Sequence, residues 1–341
     1  MADREAYREQ SDKTVEVRGF GMLEVINARG RIDLVASPDA QLHLSALKIV
    51  SLGSQEYAQK VLREIVVTAG IQGDRYLMEV HYPKRYDIRL DFWDLFKSGD
   101  GGVMPLYEVR ITCQVPKGLA VRAHETSGEI RSEGITGAQT LGSTSGDIEA
   151  LSAGAALEAT STSGDVSVTG VRQARVHSVS GDVSVKQPTG PVRATTTSGS
   201  ITVTGAEDSL SLSSVSGDIR ADRAPRGFAA ETTSGEVVAR ALSGSVRVGS
   251  TSGDLRLAAR QPLRRLEAST SSGEIRLELD PSIACALDMR TSSGEMDVQM
   301  PMQMQMKNAT RHGVSGSIRG GGAPVTLHTT SGDITVAGGD Q

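Results

Sequence analysis

Aligned on a recurring glycine, most of the chain alternates apolar and polar residues with a period of two. That is the spacing of strands whose side chains point in turn to a core and to solvent. Seven and five residues before the glycine come Leu157 with Ala159, Ala174 with Val176, Leu210 with Leu212, Val246 with Val248, and Val325 with Leu327. Two and four after it come Ile148 with Ala150, Val166 with Val168, Val183 with Val185, Leu255 with Leu257, and Ile334 with Val336. Three and one before it, the inward positions are expected to hold hydroxyls, as at Ser143 and Ser145, Ser161 and Ser163, Thr196 and Ser198, and Thr232 and Ser234. A core that narrows at a corner has room for little more.

The glycine belongs to a Ser-Gly-acid-aliphatic motif written twelve times, at Gly128, Gly146, Gly164, Gly181, Gly199, Gly217, Gly235, Gly253, Gly273, Gly294, Gly316 and Gly332. The first eight copies recur every 17 or 18 residues. A period that short leaves no space for a helix, so each copy reads as one turn of a stack that buries its apolar face only against its neighbours. The expected fold is all-β, a single-stranded β-helix (β-solenoid) of about 18-residue coils over 118–341. The twelve glycines are its structural turns, chosen for positive φ, which makes Asn the mildest replacement. The second corner, near Gly170, Gly190, Gly205 and Pro225, varies in length.

Residues 1–12 read as a polar tail, and 13–117 as an N-terminal cap with irregular first coils. Most of that region is strand-like, with one helix near 54–65 capped by Ser54 and carrying Tyr57, Ala58, Val61, Leu62 and Ile65 on one face. A cap of this kind keeps the open edge of a repeat array from pairing with other chains. The 334–336 strand lacks such cover, which predicts weak end-to-end self-association through Ile334 and Val336.

A strand-rich opening with one helix, the Val115-Pro116-Lys117-Gly118-Leu119 strand, then Thr-Ser-Gly-Asp-Ile-type coils together resemble a bacterial family labelled putative adhesin, whose members are β-strand-repeat domains of unknown function. The resemblance covers roughly 15–336. It implies a right-handed β-helix, leaves cell-envelope association open, and transfers no catalytic residue and no cofactor.

Composition narrows the function classes. The net charge is −5 with no basic stripe, against a nucleic-acid groove. Aromatics are 3% of the chain, too few for stacking platforms or sugar-binding shelves. Residues 1–13 have no apolar signal-type stretch and no run of about 20 apolar residues occurs, so the expected location is cytoplasmic. Cys113 and Cys285 each alternate with aliphatics and read as buried thiols rather than a disulfide.

Four features can carry chemistry. The residue after the glycine is acidic in ten of the twelve copies, a ladder that Arg131, Arg220, Arg256, Arg276 and Arg319 can neutralise in part. Asp165 and Asp182, without such an Arg, are the candidate cation ligands. Two before the glycine runs a row of Thr, from Thr126 to Thr330, interrupted by Val179, Val215 and Val314. Its mixed neighbouring row argues against an ice-matching lattice. Met300, Met302, Met304 and Met306, with His312 and His328, are either strand filler or a soft-metal site. Phe92, Trp93 and Phe96 form either a lid or a partner contact. The reading these favour is a non-enzymatic structural or interaction protein, a rigid repeat surface for an unidentified protein, an envelope component or a second copy. The alternatives are a weak divalent-cation-binding solenoid and a polysaccharide-acting β-helix enzyme.

Overall fold

The alternation seen in the sequence becomes strand after strand, and only Gln55–Glu64 is helical among the described residues. The structure is a computed structural model that describes residues 6–51, 55–83, 106–299 and 304–339. The chain divides into two units, Met1–Ala155 and Ala156–Gln341.

In the first unit two ladders share long strands. Residues 22–26 of the strand Met22–Ala36 lie between Arg75–His81 and the first half of Ala120–Glu133. Residues 30–36 lie between Leu106–Val115 and the second half of Ala120–Glu133. The strands Gln139–Ser143 and Ile148–Leu151 extend both ladders in parallel. On the opposite side the ladders continue into antiparallel strands, Val66–Gln72 on Arg75–His81 and Gln41–Ser51 on Leu106–Val115. Of the stretch 1–12, expected as a tail, residues 6–12 belong to a strand. Ala6–Glu16 is a strand in antiparallel register with Gln41–Ser51, and because its side chains are almost all exposed the sequence carries no apolar alternation to mark it. The helix packs against these two strands through buried Ala58, Val61 and Leu62, with Ile65 just beyond it. Ser54, its expected cap, lies outside the described residues.

The second unit is mostly two parallel ladders in register. In one, Ala174, Val192, Leu210, Phe228 and Val246 stack as neighbours. In the other, Val166, Val183, Ile201, Ile219, Val237 and Leu255 do the same. All of these side chains are buried. Few are larger than Leu, so each repeat presents nearly the same cross-section to the next.

The corner between the ladders departs from expectation in two ways. Only the hydroxyl three before the glycine turns inward, as at Ser161, Ser178, Thr196, Ser214 and Thr232. The serine one before it is exposed, because the chain has already begun to turn and the strict alternation ends there. Gly253, Gly294 and Gly332 have the expected positive φ, at 157°, 159° and 150°, but the other corner glycines are required for another reason. Gly199 does not adopt a left-handed φ. A Cβ added to it would lie 2.7 Å from the carbonyl carbon of Gly181 and closer still to its oxygen. Gly217, Gly235, Gly253 and Gly273 stand in the same relation to the glycine of the preceding repeat. In several repeats the inward hydroxyl then donates to that carbonyl oxygen, Thr196 to Gly181 at 3.4 Å, Ser214 to Gly199 at 3.2 Å, and Thr270 to Gly253 at 3.3 Å, whereas the buried hydroxyls of Ser161 and Ser178 have no partner.

Beyond residue 272 the spatial order stops following the sequence. Leu255–Ser272 pairs with Ala323–Ser331, and Ala323–Ser331 pairs on its other edge with Cys285–Ser293. Likewise Ile334–Gly338 lies between Ile275–Leu279 and Met296–Gln299. Ile334 and Val336 are therefore fully buried between two strands, which removes the open edge on which end-to-end association through them was expected. Gly316 is not a corner of the ladder either. It lies in Gly313–Ile318, which is antiparallel to both Cys285–Ser293 and Met304–Thr310. The Ser-Gly pair there imitates the motif without the apolar spacing around it.

A close approach to backbone cannot be relieved by side-chain rotation, so Gly199→Ala is expected to destabilise the second unit by about 1–3 kcal/mol, the range for overpacking. Gly205, with φ +67 and ordinary contacts only, should tolerate Asn. Thermal melting of the two variants checks this; an unaltered Gly199→Ala would show that the corner has space.

Candidate functional site

The outward side of the corner is the most regular surface of the second unit. Ser163, Ser180, Ser198, Ser216, Ser234, Ser252 and Ser272 are all exposed, and directly before them run Thr162, Val179, Thr197, Val215, Thr233, Thr251 and Ser271. Adjacent repeats hold these rows in register, as in Ser216 beside Ser234, Ser252 and Ser272 in turn. Val179 and Val215 are exposed members of the outer row.

Beside the hydroxyl rows lies the acidic row, and its aspartates reach along the stack. The Asp165 carboxylate accepts the backbone N–H of Asp182 at 2.9 Å, and the Asp182 carboxylate accepts that of Ser200 at 2.8 Å. Asp218, Asp254 and Asp333 do the same for Glu236, Glu274 and Glu295. These amides sit where the chain turns and need an acceptor. Two of the glutamates at the same position reach arginines, Glu129 to Arg31 and Glu236 to Arg256. Of the arginines proposed to neutralise the row, Arg220 pairs with Asp218 and Arg256 with Asp254. Arg131 turns to Glu133 and Glu149, and Arg319 to the carbonyl of Pro281. The difference between Asp and Glu after the glycine was legible in the sequence and went unused.

The other singled-out residues separate. Phe92, Trp93, Phe96, Met300 and Met302 lie outside the described residues, and Met306 is exposed on Met304–Thr310. His328 has Ser269 and Arg290 as its register neighbours, while His312 lies in the turn before Gly313–Ile318, so the two are not in successive repeats. Among the described residues no three His, Cys, Asp or Glu side chains gather as metal ligands. Cys113 and Cys285 are free and buried, and burial pushes their thiols up to about 12 and about 11.

The sequence reading passed over one buried group. Glu125 occupies the inward corner position of its repeat, where other repeats carry Ser or Thr, and it is fully buried. Its register neighbour is Asn27, also buried. The Asn27 amide donates to the carbonyls of Arg29 and Val109, and its oxygen accepts from the Tyr82 hydroxyl at 2.8 Å. Tyr82 stacks on Tyr107 at 5.8 Å, and the Arg29 guanidinium sits over the Tyr107 ring at 4.9 Å. Neither Glu125 oxygen has a hydrogen-bond partner of good geometry. Burial pushes its carboxyl up to about 7, and the Asn27 side chain and the Ser127 and Thr126 backbone amides pull back only part of that. The Tyr82 hydroxyl is raised by burial first and by the Glu125 carboxylate second. A carboxyl in a row of hydroxyls was a visible signal.

Because Glu125 titrates higher in the fold than its ordinary 4.5, ionisation opposes folding. Its contribution is fully present below about 4.5, declines as pH rises through the window to about 7, and is level above it. Glu125→Gln should therefore stabilise the first unit at pH 7 and above, with the advantage shrinking toward pH 4.5 by at most about 1.4 kcal/mol per pH unit. Denaturation curves across that range check this; parallel wild-type and variant profiles would show the carboxyl to be well solvated. In the second unit, Asp182→Ala should cost about 1 kcal/mol through the lost cap on Ser200, whereas Asp182→Asn, which keeps an acceptor, should cost less.

With this geometry established, comparison with known proteins places the chain. Its sequence matches the family model described as Toastrack DUF4097 over residues 108–238 and 174–337, and the chain belongs to that family of β-strand repeats of unknown function. It is similar in structure to a putative adhesin from Parabacteroides distasonis, at 12% identity over 96% of this chain and 97% of that one, with a TM-score of 0.36. A putative adhesin from Parabacteroides merdae matches at 11% identity over 96% of both chains, with a TM-score of 0.32. A putative lipid binding protein from Parabacteroides distasonis matches at 13% identity over 97% and 95%, with a TM-score of 0.28. No curated protein matches. No helix among the described residues is long and apolar enough to cross a membrane.

Proposed function

We propose that the repeats wind as single-stranded β-helices of about 18-residue coils, and that the protein is a non-enzymatic binding module. In this reading the corner of the second unit is the contact surface, and its partner is an extended or repetitive component of the cell envelope, protein or polymer. The observation that carries the reading is the pair of exposed rows at Thr162 to Ser271 and Ser163 to Ser272, held in register by the ladders beneath them.

Two physical properties support it. Short hydroxyl and β-branched side chains on a rigid strand lose little rotamer freedom on docking, so an ordering cost that weakens most interfaces is small here. The rows also repeat at the strand spacing of about 4.8 Å, which lets a partner with a matching repeat gain many weak contacts at once. The acidic row alongside, already occupied by amides and arginines, contributes charge that discourages unrelated anionic partners.

The experiment is retention of the purified chain on envelope fractions of the source organism. Replacing Thr197 and Thr233 by Lys roughens the outer row without touching the core, and is expected to reduce retention at least about tenfold, equivalent to 1.4 kcal/mol, with melting unchanged. Equal retention of wild type and variant, or none for wild type, would refute the reading.

A further inference from the structure

The repeat at 323–338 fills a slot whose two walls precede it in the sequence. One wall is formed by Leu255–Ser272 and Ile275–Leu279, the other by Cys285–Ser293 and Met296–Gln299. Residues 280–284 join the walls, so both exist as chain before the occupant does. Until it arrives, each wall offers a strand edge with unpaired N–H and C=O groups and a row of apolar side chains. Leu266 and Leu277 face it from one side, and Leu287 and Met289 from the other.

The slot sets conditions on its occupant. Val325 must meet Leu266 and Leu287 together, and Thr329 must donate to the Gly273 carbonyl, which it does at 3.2 Å. Thr291 donates in turn to Gly332 at 3.1 Å. Position 332 must be glycine, because a Cβ there would run into the Gly273 carbonyl. The 323–338 segment meets these conditions and occupies the slot, and every copy of the chain carries one. It is joined to the wall side by Arg319, Gly320 and Gly321, with φ of 52, 83 and 92, followed by Gly322. Successive left-handed residues of this kind permit several chain directions, as a hinge requires.

We propose that two copies of this chain exchange the 323–338 repeat, each seating it in the other's slot. The contacts inside the slot are the same whether the occupant is the chain's own or a partner's, so the balance depends on the hinge and on chain concentration while the slots are open. A consequence is slow interconversion, since a seated repeat must leave two ladders at once before it can move.

Two single-cysteine variants test this. Ser272 and Ser331 are exposed and face each other in register across adjacent strands, a separation that a disulfide spans. Chains carrying Ser272→Cys and chains carrying Ser331→Cys are unfolded, mixed, refolded under reducing conditions and only then oxidised; Cys113 and Cys285 are by then buried. A disulfide-linked heterodimer is expected, in a share that rises with chain concentration during refolding and is lost when the two variants are folded separately before mixing. A chain carrying both substitutions should cross-link within itself when refolded dilute. Cross-linking within the double variant but no heterodimer at any concentration would overturn the exchange. So would a heterodimer that forms equally after separate folding, which is surface collision. A double variant that forms no link at all would show that the slot is not filled by this segment, and would overturn the proposal at its base.

Discussion

The contact on which the repeats depend is backbone against backbone, a glycine Cα lying on the carbonyl of the glycine in the adjacent repeat. Hydrophobic burial gives the ladders their driving force, but the inner apolar positions tolerate exchange among Ala, Val, Leu and Phe, as the column from Ala174 to Val246 shows. The glycine position does not, because no rotamer removes a Cβ. The close approach also brings the Gly181, Gly199 and Gly217 carbonyls within reach of the hydroxyls of Thr196, Ser214 and Thr232. One steric condition therefore fixes two residue types, glycine at the corner and a short hydroxyl three positions earlier.

Glu125 shows what happens when that pairing is broken. A serine at this corner fills a small volume and, even where its hydroxyl goes unpaired as at Ser143, Ser161 and Ser178, leaves only a neutral group unsatisfied, whereas a carboxylate needs several donors and finds none of good geometry. The neighbouring Asn27 has committed its amide to two carbonyls and its oxygen to Tyr82. The first unit thus holds a polar group that is most comfortable protonated, beneath a Tyr82, Tyr107 and Arg29 cluster that the second unit does not repeat.

Much of this architecture was legible because the period is short and the inner residues are chemically monotonous. The inward and outward assignment held at the apolar positions, and the helix came out at Gln55–Glu64 near its expected place. The same monotony concealed the order of the final repeats. Leu266 accepts Val325 as readily as it would Leu287, so no side chain in the pattern says which repeat stacks on 255–279. The serine before each glycine was misassigned because strict alternation was carried into the corner, where two successive residues, such as Thr197 and Ser198, are both exposed. The role of Asp165 and Asp182 was missed for a different reason: a side-chain bond to the amide of another repeat leaves no periodicity of its own.

The aspartate caps have a direction. Each one observed reaches from its own repeat to the next in the stack, Asp165 to Asp182, Asp182 to Ser200, Asp218 to Glu236, and none of these reaches back. Even the displaced repeat obeys this, for Asp333 reaches onward to Glu295, its neighbour in space rather than its successor in sequence. At this corner the second unit is accordingly vectorial: a repeat with aspartate after its glycine presents an acceptor on one side and its amide on the other, so a further repeat of that kind finds its carboxylate partnered in a single orientation, whereas away from the corner Asp222 reaches back to the amide of Gly205.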